Sequence, residues 1–237
     1  MKINIIALFC LVICQYISGV EMDSPLVLCL KFDEGTGLKV MDHSKSRNDG
    51  LAQGEHHWHS QQGLEFDGDS GGVILTRPLE LKDSWTAEIT FAANTTAKAE
   101  MMIMGNLVAG GKFNTSGWSI GLCRSELCLT WAKKSGDYSK ISIDRISSGK
   151  IYHVAIVYDK EADKIIVYLN GVMISRKAAD GHEPNSAKES IGFNAISNCW
   201  HFAGIVYEVN IYNKVLSSKD ISRKYKDLKM PEVLKIE

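Results

Sequence analysis

Several groups of residues have the type and spacing to do chemistry. Gly68-Asp-Ser70-Gly-Gly72 spells the nucleophile motif of a chymotrypsin-like protease. That mechanism needs a histidine base oriented by an aspartate, and in those enzymes the histidine lies far upstream of the serine. The stretch before Gly68 is too short and contains no Ala-Ala-His-Cys segment, so the motif reads as a Gly-rich turn between strands. A glycosidase would need two carboxylates flanking the scissile bond. Glu161-Ala-Asp163 has a suitable spacing, but it sits in a polar hairpin loop without a third acid. His56-His57-Trp58-His59 on a strand would aim His57 and His59 to one side, as two ligands of a zinc site, or would simply line a solvated strand. Asp42, Asn48 and Asp49 place hard oxygen donors in one short loop, which is the chemistry Ca²⁺ prefers. Without a metal, the same side chains would close an Asx turn by their own hydrogen bonds. His153, on an alternating strand, reads as a structural side chain bonded across a sheet.

Of six cysteines, Cys10 and Cys14 fall in an apolar leader, leaving Cys29, Cys123, Cys128 and Cys199. Trp118–Cys123 and Leu127–Trp131 read as a hairpin turning at Ser125-Glu126. That register sets Cys123 opposite Cys128 and predicts a bridge between them, with Cys29 left for Cys199. The alternative is four buried thiols. Of five tryptophans, Trp85, Trp118 and Trp131 lie in strand patterns and are expected in the core. Trp200, followed by His201 in an Asn- and Ser-containing loop, is the one placed to meet a ligand.

Strands must position these groups. Residues 149–178 encode two successive hairpins: Tyr152 to Tyr158 alternates, 159–163 is a polar loop, and Ile165 to Leu169 is largely β-branched or aromatic. Asn170-Gly171 suits a type I′ turn, because both residues tolerate positive φ. Further strand-like segments, at Leu26–Phe32, Gly63–Phe66, Gly72–Leu75, Trp85–Ala92, Met101–Asn106, Ile141–Asp144, Ser190–Phe193 and Phe202–Tyr212, are separated by turn residues at short intervals, the all-β pattern. One helix is predicted, from a capping box at Ser217-Ser-Lys-Asp220 followed by Ile221, Tyr225 and Leu228.

Residues 1–19 read as a secretory signal: Lys2, an apolar run, then Ile-Ser-Gly19 at the cleavage point. The run is shorter than the ~20 residues a membrane span needs. Residues 24–228 read as a single domain and 229–237 as a tail. Basic and acidic residues nearly balance, 27 against 28, and no basic patch argues for nucleic acid. Asn94-Thr-Thr96 and Asn114-Thr-Ser116 are glycosylation acceptors in a eukaryotic host.

Four motifs in order resemble the laminin-G-like jelly roll of the concanavalin A-like lectin/glucanase superfamily. They are Leu30-Lys-Phe-Asp33-Glu-Gly-Thr-Gly37 with Asp42-His-Ser44 and Asn48-Asp49-Gly50; Gly63-Leu-Glu-Phe-Asp67-Gly68; His153-Val-Ala with Tyr168-Leu-Asn170-Gly171; and Gly204 with Glu208-Val-Asn-Ile-Tyr-Asn213. The resemblance implies a two-sheet antiparallel sandwich with neighbouring first and last strands. It also implies a Ca²⁺ site where the Asp42 loop meets the closing strand, adding Glu208 to Asp42, Asn48 and Asp49, although Tyr207 stands where the family often carries an aspartate. Pentraxins share a comparable hairpin but usually carry a cysteine where Ala155 stands. Enzymes of this fold carry Glu-x-Asp-x-x-Glu on one strand, a run this sequence lacks. The expectation is therefore a secreted, non-catalytic module that binds a glycan or an extracellular protein. The alternatives are a carbohydrate-active enzyme on the same sandwich and a structural or adhesion protein.

Overall fold

The computed structural model describes residues 25–60, 62–95, 98–109 and 115–228. The expected signal, the Asn114 acceptor and the tail after Leu228 lie outside them. In chain order the first strands are β1 (Leu26–Leu30), β2 (Lys39–Val40), β3 (Gly50–Gln53), β4 (His56–Trp58), β5 (Leu64–Asp67) and β6 (Gly72–Leu75). Next come β7 (Trp85–Ala93), β8 (Glu100–Gly105), β9 (Val108–Ala109), β10 (Thr115–Ser116), β11 (Trp118–Cys123) and β12 (Glu126–Ala132). The last are β13 (Tyr138–Arg145), β14 (Ile151–Asp159), β15 (Lys164–Leu169), β16 (Val172–Ala178), β17 (Ser190–Ile191) and β18 (Ala203–Tyr212), followed by the helix α1 (Ser218–Asp227).

Apart from the two-stranded β9-β10 pair, the strands form two antiparallel sheets. The first runs β16-β15-β14-β7-β18-β5-β4, with β1 also paired to β18; the second runs β13-β12-β11-β8-β17-β6-β3-β2. The expected jelly-roll sandwich is what the chain builds, and its first and last strands are neighbours. Alternation decides which side chains meet. Ile89, Phe91, Val154, Ile156, Val209 and Ile211 from the first sheet face Ile103, Ile120, Leu122 and Leu129 from the second. Trp85, Trp118 and Trp131 are buried as expected, and the rings of the first two lie 4.9 Å apart across the sheets. At Asn170 (φ 50°) and Gly171 (φ 74°) both turn residues take positive φ, so β15 and β16 are joined as the sequence demands.

The helix starts where predicted, at the N-cap Ser217, whose hydroxyl accepts from the Asp220 amide. Its buried Ile221, with Leu216, packs on Ala155, Val157, Tyr168 and Tyr212, so α1 straps the outer face of the first sheet.

The 117–131 hairpin forms with a shifted register. Cys123 faces Glu126 and Gly121 faces Cys128, because the turn falls at Arg124-Ser125, with Arg124 at φ 59°. The expected Cys123–Cys128 alignment is therefore corrected. The two residues are diagonal neighbours across the hairpin, close enough for the Cys123 thiol to act on the Cys128 thiol. All four described cysteines are free. Cys29 and Cys199 do not meet either: Cys29 lies on β1 of the first sheet, paired with Asn210, whereas Cys199 sits in the loop beside the second.

Glu189 ties the second sheet together. Its carboxylate accepts from the Leu79 amide (3.0 Å) and the Asn106 side chain (3.0 Å). Burial pushes its pKa up from 4.5 to about 7, against the opposing pull of the Leu79 amide. Between these two values the folded chain holds a proton that the unfolded chain has lost. This contribution to stability is complete below 4.5 and is lost as pH rises through 7. Glu189→Gln should flatten the dependence in that window by about 1.4 kcal/mol per pH unit, the equivalent of one proton. Urea unfolding at several pH values checks this; identical slopes in variant and parent would contradict it.

Candidate functional site

A groove of about 580 Å³ lies on the outer face of the second sheet, within the size range of ligand pockets. Its floor is built by alternation: Ile120 and Leu122 of β11 point into the core, so Ser119, Gly121 and Cys123 face out. Cys128 and Thr130 of β12 and Met102 of β8 extend the floor, with Tyr138 and Lys140 of β13 on one side and Trp200 on the other. Gly121 is required there, since a Cβ would lie 2.0 Å from the Met101 carbonyl oxygen. The bare backbone at this point keeps the floor open. Trp200 is held by its own backbone, whose carbonyl accepts from the Met102 amide (2.7 Å).

The groove's chemistry is mixed. Met102, Leu107, Trp200 and the Tyr138 ring supply apolar surface, while Ser119, Thr130 and Lys140 supply hydrogen-bonding groups. Of its two acids, Glu100 lies 4.0 Å from the Lys140 ammonium, and Asp137 accepts from the Tyr138 amide (2.8 Å). Burial pushes the Cys128 thiol up to about 11, so at neutral pH it is a thiol, not a nucleophile. Cys123 holds the Lys140 pKa above its usual value, partly offset by burial. Of the two residues expected to meet a ligand, Trp200 lines the groove. His201 instead stacks on Phe193, with centroids 5.4 Å and planes 9° apart. The Tyr138 and Lys140 wall escaped sequence reasoning, because β13 is a polar edge strand with no motif.

A second cavity of about 330 Å³ lies between α1 and the outer face of the first sheet. Register lines up His153, Thr90 and Glu208 in one row across β14, β7 and β18, and Ala155, Glu88 and Asn210 in the next. Lys224 of α1 reaches Glu88 (3.4 Å) and lies over the Tyr212 ring, at 5.0 Å. Burial opposes the charge on Lys224, but the Tyr212 hydroxyl and Glu88 outweigh it and its pKa is raised. His153 faces Glu88 across the sheet, with Nε2 3.5 Å from Glu88 Oε1, but neither that oxygen nor His153 Nδ1 makes a hydrogen bond. This cluster fastens the helix.

The Asp42 loop does not fit calcium. The buried Asp42 carboxylate accepts from the Cys29, Ser44 and Asn48 amides and the Ser44 hydroxyl, all within 2.9 Å. Asn48 Oδ1 is taken by the Arg77 amide and Thr76, and Asp49 bonds the Asp42 amide and Lys39. Lys39 and that amide, working against burial, hold Asp49 below the usual carboxylate range. Glu208 belongs to the cavity under α1, bonded by Asn210 at 2.6 Å. Beside Tyr207, the Gln62 amide donates to both the Lys31 and Tyr207 carbonyls at 2.9 Å. The loop is the Asx alternative. Asp42→Ala should cost at least about 3 kcal/mol, since several charge-assisted bonds go at once, or about 6–12 °C in Tm. Thermal melts in millimolar CaCl₂ and in EGTA should show the same loss; a parent protein stabilised by Ca²⁺ would contradict this reading.

Among the described residues no helix is long and apolar enough to cross a membrane. No curated protein matches the sequence. Among solved structures, the binding domain of botulinum neurotoxin DC in complex with SialylT superposes with a TM-score of 0.67 at 20% identity, covering 87% of this chain and 52% of that one. The botulinum neurotoxin serotype D binding domain gives 0.68 at 16%, covering 86% and 52%. A botulinum neurotoxin type C structure, described by its dependence on two ganglioside molecules for cell entry, gives 0.62 at 17%, covering 86% and 51%. The chain thus spans about half the length of these neighbours, and the likeness is one of fold. Residues 67–222 match the Laminin_G_3 family profile. The chain belongs to this family of the concanavalin A-like lectin/glucanases superfamily.

Proposed function

We propose that this chain is a non-catalytic, extracellular binding module that takes a glycan or a protein ligand in the groove over β8, β11, β12 and β13. The observation that carries the reading is the groove itself: an apolar bed with an aromatic side chain on each flank and a few hydrogen-bonding groups, the composition of a recognition site. Trp200 and Tyr138 supply faces on which a sugar ring or an apolar side chain can stack, and Ser119, Thr130 and Lys140 orient it. The groove's acids are engaged, Glu100 beside Lys140 and Asp137 with the Tyr138 amide, which suits binding better than proton transfer. The complexes of the neurotoxin DC binding domain with SialylT and with rat synaptotagmin II are consistent with a binding role for the fold. An extracellular setting rests on the leader-like first nineteen residues. Calcium has no part in this reading, because the loop expected to hold it is filled by protein donors.

A glycan array of neutral and sialylated structures, run with the purified chain, tests the proposal. Trp200→Ala should weaken the best hit by more than about tenfold, the behaviour of an aromatic anchor, and His201→Ala should leave it unchanged. Binding that survives Trp200→Ala, or oligosaccharide products that disappear in Glu100→Gln or Asp137→Asn, would overturn it; the second result would favour an enzyme.

A further inference from the structure

We propose that Asp33, Glu34 and His43 form a binding site for a divalent first-row transition cation, typified by Zn²⁺. One ligand atom from each lies within 4.8 Å of the other two, and among the described residues no other trio of His, Cys, Asp and Glu side chains does so. The site joins two loops, the one that follows β1 and the one that follows β2. Both are held in place by bonds that leave ligand atoms free. The His43 amide donates to the Cys29 carbonyl at 2.8 Å, and Glu34 Oε1 accepts from the Met41 amide at 2.6 Å.

The independent observation is the other oxygen of Glu34. Oε2 is buried and has no hydrogen-bond partner. A carboxylate oxygen removed from water needs a donor or a cation. His43 Nε2 stands 3.9 Å from Asp33 Oδ1, beyond a hydrogen bond. Two ligand atoms about 2.1 Å from a common tetrahedral ion lie about 3.4 Å apart. Modest side-chain rotation would therefore close this pair around a metal. An imidazole with two carboxylates suits Zn²⁺, Co²⁺ or Mn²⁺, whereas Ca²⁺ requires six to eight oxygens. The side chains of His43 and Asp33 are 31% and 45% exposed, which leaves remaining coordination positions open to water.

The histidine cluster that the sequence advertises is less ready. His56 Nδ1 is bonded to the Gly54 carbonyl and His59 Nε2 to Glu65, each at 2.8 Å. The new site lies apart from the groove and does not depend on the function proposed for it.

Calorimetric titration of ZnCl₂ into the tag-free full chain, stripped with EDTA, tests the proposal. One ion should bind per chain. His43→Asn and Glu34→Gln should each weaken binding by at least about tenfold, as loss of metal-site contacts does, while His57→Asn should leave it intact. Circular dichroism would verify that each variant is folded. No saturable binding by the parent, binding unaffected by His43→Asn, or equal loss in His57→Asn would each overturn the assignment.

Discussion

The ten residues of β18 hold both ends of the domain. On one side they pair with β7 along nearly their whole length; on the other they pair first with β5 and then with β1. Three neighbours from the first half of the chain thus wait for a strand near its end. Its inward residues, Val206, Val209 and Ile211, complete the core, and its outward residues, Glu208, Asn210 and Tyr212, make the bed for α1. Such non-local pairing makes folding slow relative to a helical protein. It also fixes the spacing of the two sheets, and the groove is a feature of the second sheet that only a fully closed sandwich can hold in shape.

Asp42 shows how this chain handles a charge at the junction of β1 and its first loop. Backbone amides from Cys29, Ser44 and Asn48 converge on one carboxylate. Fixed dipoles replace a cation as the source of positive potential, at no cost in metal affinity. The nearby Gln62 bridge between the Lys31 and Tyr207 carbonyls follows the same logic, with an amide donor joining two loops. The proposed cation ligands, Asp33, Glu34 and His43, lie in the neighbouring stretch of the same loops.

The sheet was largely legible because period-two alternation and turn residues are local signals. Tyr152–Tyr158, Asn170-Gly171 and the Ser217 cap all behave as their types require. What failed was information that no short window holds. Nothing in Arg124 marks it for positive φ, and moving the turn by one residue shifted the cysteine register by two. Asp42 looked like a calcium ligand because the sequence lists its oxygens but not the amides that reach them. Trp200, which lines the groove, stood out as an aromatic beside polar loop residues; Tyr138 and Lys140, brought to the same groove by the pairing of β12 with β13, did not.

The central claim is that recognition occurs in the groove of the second sheet and not against the strapped face of the first. Chemical-shift mapping of the isotopically labelled chain, titrated with the tightest glycan found on an array, addresses it directly. The account predicts perturbations concentrated at Met102, Gly121, Thr130, Tyr138, Lys140 and Trp200, with His153, Glu88 and Lys224 unmoved. Saturable shifts centred on His153 and Lys224, with the groove silent, would contradict it.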